Sequence, residues 1–69
     1  MEKLIINGVE KNFSNGLPDT VEKLLKQLDI ESTTVAAEVD GRIIERDKFT
    51  HTKLSNGQKI ELVKFMGGG

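Results

Sequence analysis

Apolar residues recur along this chain at two spacings, one of strands and one of a helix. Leu4-Ile5-Ile6 and the run from Val9 to Phe13 flank Asn7-Gly8. That pair supplies the two positive φ values of a type I′ turn, so a β-hairpin is expected first. Ser14-Asn15-Gly16-Leu17-Pro18 is rich in turn formers and predicts a loop that carries the chain away from the sheet. Val21, Leu24, Leu25 and Leu28 fall at i, i+3, i+4 and i+7, the apolar stripe of a helix of about ten residues. Asp19 is favoured as the N-cap, because Glu22 three residues on completes a capping box; Thr20 is the alternative, with Lys23 in that place. Glu22 and Lys26, four apart on the polar side, predict a weak surface ion pair.

The polar stretch from Ile30 to Thr34 connects to Val35-Ala36-Ala37-Glu38-Val39, whose small and β-branched residues suit a third strand. Asp40-Gly41 is a second hairpin signal and leads into a short fourth strand, Arg42-Ile43-Ile44. Glu45 to Ser55 keeps neither period, so Phe49 and Leu54 are expected to pin an irregular stretch to the core. Asn56-Gly57 turns the chain into the last strand, Ile60 to Phe65. There Ile60 and Leu62 point toward the helix, and Glu61, Val63 and Phe65 point away from it. The order of elements predicts an α+β domain with one helix on one face of a mixed sheet of four to five strands. With the first and last strands central and parallel, this is the β-grasp arrangement, residues 1–65 forming the domain and residues 66–69 a flexible glycine tail.

Size narrows what such a domain can do. Sixty-nine residues allow one small core, since folding at this length buries only about 60% of the surface of the unfolded chain. A wide catalytic cleft is not expected. Ten Lys and Arg against eleven Asp and Glu leave a net charge of −1, and no basic cluster is interleaved with aromatics, so no nucleic-acid partner is expected. No apolar run approaches a membrane span and no apolar signal region opens the chain, which predicts no membrane association and a cytoplasmic home. The absence of cysteine removes disulfides, thiolate metal sites and thiol nucleophiles together.

Candidate chemistry is then sought among the remaining residues. His51 is the single histidine, and one imidazole without a positioned nucleophile or carboxylate makes no triad. It reads as a surface residue. The acids are scattered singly, so neither paired-carboxylate chemistry nor a metal site has a candidate set. The glycines lie at turns and at the end, and none opens a helix as a phosphate loop would.

The end of the chain is different. Met66 is followed by Gly67-Gly68-Gly69, and a closing glycine triple arises by chance in roughly 0.03% of chains at average usage. A frayed or appended terminus is the plain reading. The functional one is chemical: glycine lacks Cβ, so a glycine tail threads a channel that any side chain would block. Residues 66–69 extended reach about 13 to 14 Å, enough to carry a terminal carboxylate into a partner while the globule stays outside. On this reading Gly69 reacts, Gly67 and Gly68 thread, and Val63, Phe65 and Met66 dock. A carboxylate is a poor electrophile, so the partner must first activate it, for example by adenylation with ATP.

The chain as a whole resembles the ThiS-type sulfur carriers of bacterial thiamine biosynthesis, which are ubiquitin-like β-grasp proteins. The matching residues are Ile6-Asn7-Gly8, Thr20-Val21 with Leu24-Leu25, Val35-Ala36, Val39-Asp40-Gly41, Ile43-Ile44 with Arg46, and Leu54 with Gly57. The most specific stretch is Ile60-Glu61-Leu62-Val63-Lys64-Phe65 running into Met66-Gly67-Gly68-Gly69. One departure is Gly57-Gln58, where the family commonly has Gly-Asp. The resemblance implies a carrier without catalytic activity or bound cofactor. Its terminal glycine would be adenylated by an E1-like, ThiF-type enzyme using ATP and converted to a thiocarboxylate, with sulfur from cysteine through a desulfurase. A ThiG-type thiazole synthase would consume it. The small subunit of molybdopterin synthase has the same fold and glycine end, and a ubiquitin-like modifier joined to lysines is a further alternative.

Overall fold

The computed structural model describes residues 1–65; the expectations placed on Met66, Gly67, Gly68 and Gly69 lie outside the described residues. The chain forms β1 (Glu2–Ile6), β2 (Val9–Phe13), α1 (Val21–Gln27), β3 (Val35–Val39), β4 (Arg42–Ile44) and β5 (Lys59–Lys64). The strands make one sheet in the order β2-β1-β5-β3-β4. All pairs are antiparallel except β1 with β5, which run parallel. This is the expected one-helix, mixed-sheet β-grasp.

Both hairpins turn where the sequence predicts. Asn7 and Gly8 have φ of 50° and 81°, and Asp40 and Gly41 have 50° and 84°, the left-handed pair that a two-residue I′ turn demands. The helix lies on one face of the sheet with Val21, Leu24 and Leu25 buried. Across from it are Leu4, Ile60, Leu62, Ala37 and Val39, with Phe13 and Phe49 closing the core. The alternation along β5 is as expected, since Ile60 and Leu62 are buried while Glu61 and Val63 are exposed. The strand itself begins one residue earlier and ends one residue earlier than the pattern suggested. Phe65 nonetheless adds one more ladder bond, its N–H donating to the Thr34 carbonyl at 2.8 Å.

Two local expectations about α1 are corrected. Thr20, not Asp19, is the N-cap: its Oγ1 accepts from the Lys23 N–H at 3.3 Å. The Thr52 and Phe49 carbonyls accept from the Val21 and Glu22 N–H groups, so the start of the helix is set by the distant 45–55 segment and not by a local capping box. The helix is also shorter than its apolar stripe, seven residues instead of about ten. Asp29 turns to φ 59°, and the Ile30 and Asp29 N–H groups donate back to Leu25 and Lys26 carbonyls. That 6→1 and 5→2 pair is a Schellman motif. Leu28 therefore packs on the core from the cap position. The predicted Glu22–Lys26 pair is present at 3.5 Å.

The unresolved expectation for residues 45–55 takes definite form. A 3-10 turn at Arg46–Lys48 drops Phe49 into the core at 2% exposure, and Leu54 packs against that core half-buried. Gln58, the departure from the Gly-Asp pattern, accepts from the Ser55 N–H through Oε1 at 2.8 Å, so an uncharged amide makes a turn bond at this place. No helix among the described residues is long and apolar enough to cross a membrane.

These capping contacts separate two substitutions. Thr20→Ala is expected to lower unfolding free energy by about 1 kcal/mol. Asp19→Ala, which removes only an exposed 3.9 Å pair with Lys53, changes it by about a few tenths. Urea denaturation of the two variants beside the parent distinguishes the caps.

Candidate functional site

The candidate site is the outgoing end of β5, where the ordered sheet delivers the chain toward Gly67-Gly68-Gly69. β5 lies in the middle of the sheet, and its two neighbours hold it to different lengths. Against β3 the antiparallel register runs from Val39↔Ile60 to Val35↔Lys64. Bonds between Asp40 and Lys59 at one end and Phe65 and Thr34 at the other show that the odd-numbered residues of β5 turn their main chain toward β3. Against β1 the parallel register covers only Ile5↔Lys59 and Ile6↔Ile60, because β1 then enters its hairpin.

Asn7 compensates for that early turn. Its backbone N–H donates to the Ile60 carbonyl at 2.8 Å. Its side-chain Oδ1 accepts from the Leu62 N–H at 2.7 Å, and its Nδ2 donates to the Leu62 carbonyl at 3.1 Å. One amide side chain thus replaces the two ladder bonds that a longer β1 would make. A side-chain amide carries its donor and acceptor on separate atoms that can span a neighbouring N–H and C=O, and Asn also tolerates positive φ. The turn alone accounts for Asn7 in the sequence, and this second role is invisible there. At the opposite end of β5, Asp40 Oδ1 accepts from the Lys59 N–H at 2.9 Å.

On the open face of the sheet, away from α1, Val63 is 57% and Phe65 53% exposed, so the two expected docking residues that are described are accessible, Met66 lying outside the described residues. Val63 stands opposite Ala36 in the register, and Ile43 on β4 adds a further exposed aliphatic. Glu61 faces Glu38 directly and Glu38 faces Ile43. Two carboxylates side by side are mildly unfavourable, and among the described residues neither is in an ion pair. His51 is exposed, outside the strands, and among the described residues it is in no ion pair.

A single helix packed on one face of a mixed sheet whose last strand lies in its middle defines a ubiquitin-like β-grasp domain. The ThiS family model matches residues 4–69, and the chain belongs to the ThiS family. A crystal structure of the thiamine biosynthesis protein ThiS from Geobacter metallireducens superposes with a TM-score of 0.84 at 31% identity, covering 97% of this chain and 99% of that one. A thiazole synthase of Paramagnetospirillum magneticum is 42% identical over 67 residues. That match covers 97% of this chain, yet the chain spans only 20% of the synthase. An uncharacterised protein, ycf40, of Pyropia yezoensis is 34% identical over 93% of this chain and 87% of its own length.

Asn7 is testable as the clamp on β5. Asn7→Gly keeps the positive φ and removes the amide. It is expected to cost about 1 to 3 kcal/mol in unfolding free energy. The Leu62 amide should lose protection from hydrogen exchange in the same variant.

Proposed function

We propose that this chain is a sulfur carrier protein of thiamine biosynthesis, with Gly69 as its reacting residue. The single observation that supports this most is the match of the ThiS family model through residue 69, on a fold whose central strand leads straight into the glycines. The domain, residues 1–65, acts as a handle and residues 66–69 as the reach. The tail spans at most about 13 to 14 Å, so the acting enzyme must bind close to the end of β5. Val63 and Phe65, with Met66 beyond them, form the docking patch, and Gly67 and Gly68 enter the enzyme.

The chemistry belongs to the partners. A ThiF-type, E1-like enzyme binds ATP; the Gly69 carboxylate oxygen attacks the α-phosphorus and displaces pyrophosphate, giving an acyl adenylate. A persulfide sulfur, formed on a desulfurase from cysteine, displaces AMP from the acyl carbon to give an acyl disulfide, and a thiol reductant cleaves its S–S bond to leave the thiocarboxylate. A ThiG-type thiazole synthase then takes the sulfur for thiazole formation. The carrier itself performs no catalysis and binds no cofactor, and its location is the cytoplasm with these enzymes. The thiazole synthase relative, which contains a stretch similar to almost this whole chain, favours the thiamine pathway over molybdopterin synthesis.

Incubation with the cognate activating enzyme, ATP, a desulfurase, cysteine and a thiol reductant is expected to replace one terminal oxygen by sulfur, read as an increase in intact mass. Deleting Gly69 should abolish the increase and leave the circular dichroism spectrum unchanged. An unaltered mass in the parent protein overturns the proposal, and attachment of Gly69 to lysines of other proteins would instead assign a modifier.

A further inference from the structure

Main-chain bookkeeping along β5 leaves one place open. Odd-numbered residues of the strand bond toward β3, and even-numbered ones turn toward β1. Gln58 and Ile60 find β1 and Asn7 there, and Leu62 finds the Asn7 side chain. Lys64 is next in that series, and by then the β1–β2 hairpin has turned away. Among the described residues its N–H and C=O have no partner. Along the same edge lies an open groove of about 320 Å³ whose lining is Ile6, Leu28, Ile30, Val35 and Leu62 together with Asn7 and Lys64.

We propose that this edge is a strand-addition site: an extended segment of the thiazole synthase pairs with the main chain of Lys64 and sets apolar side chains into the groove. The inference rests on the carrier reading above. An unpaired strand edge is a template for one more strand, and in an added strand alternate side chains fall on one face, here the groove. The occupant follows from where the chain ends. Only residues 66–69 separate Lys64 from the reacting carboxylate, about 13 to 14 Å at most, so the enzyme that receives Gly69 must pass close to this edge. The opening is short and carries a lysine, features that disfavour edge-to-edge self-pairing. Pairing here would extend the sheet beyond Asn7 and hold the outgoing chain straight on both sides, β3 on one and the enzyme on the other.

Amide hydrogen exchange of the ¹⁵N-labelled carrier, alone and with the purified thiazole synthase of the same organism, tests this directly. The Lys64 amide is expected to exchange freely in the isolated carrier and to slow about tenfold or more in the complex, while the Phe65 amide is already protected by Thr34. Lys64→Pro removes the N–H at a position that does not bond β3, and should weaken binding about tenfold relative to Lys64→Ala, which keeps it. Binding that perturbs Val63 and Phe65 but leaves Lys64 exchange unchanged overturns strand addition and leaves the carrier reading standing. Equal affinities for the two Lys64 variants do the same. Protection that grows with carrier concentration alone assigns the edge to self-pairing and also overturns the inference. No perturbation of any residue by the synthase removes the carrier reading with it.

Discussion

The fold depends on one contact, the parallel pairing of β1 with β5, which joins the beginning of the described chain to its end. Parallel strands cannot be linked by a tight turn, so everything between Ile6 and Lys59 serves as the crossover: a hairpin, a helix on one face and a second hairpin. The direct register is only two residue pairs long, and side chains extend it at both ends. Asn7 carries it forward to Leu62. Asn56 carries it back, its Oδ1 accepting from the Lys3 N–H while the Gly57 N–H donates to the Lys3 carbonyl.

That construction separates a sealed face from an accessible one. The inner face of β5 is sealed by Ile60 and Leu62 under α1, so the strand cannot slip by one residue without exposing the core. Its outer face keeps Val63 exposed, with Phe65 exposed just beyond its end. The strand is therefore anchored by the helix side and available on the other. The carrier role proposed above needs both properties, because residues 66–69 would serve an enzyme only if the strand before them has a defined position. The small core suffices, since presenting a terminus requires no cleft.

Three of the four Asx-Gly turns do more than reverse the chain. Asn7, Asp40 and Asn56 each stand before a glycine with positive φ, and each also bonds a backbone group of β1 or β5 through its side chain. Turn chemistry and sheet assembly thus share residues, which explains how a chain with so little buried surface holds five strands in register. The open face is tuned less tightly, for the Glu38–Glu61 juxtaposition adds nothing to stability.

What the sequence determined by itself was everything governed by local geometry. Asn7-Gly8 and Asp40-Gly41 specify their turns because few other residues accept two consecutive positive φ values, and the stripe Val21, Leu24, Leu25 and Leu28 specifies a helix because its period is 3.6. Alternation at Ile60, Leu62 and Val63 assigned the faces of the last strand. Only the tertiary structure decided contacts between distant residues. Asn7 clamps Leu62 across 55 positions, and Thr20 outcompetes Asp19 because Phe49 and Thr52 meet the first helical turn. The same long-range pairing exhausts β1 before β5 ends, and so leaves Lys64 with an open main chain at the root of the glycines.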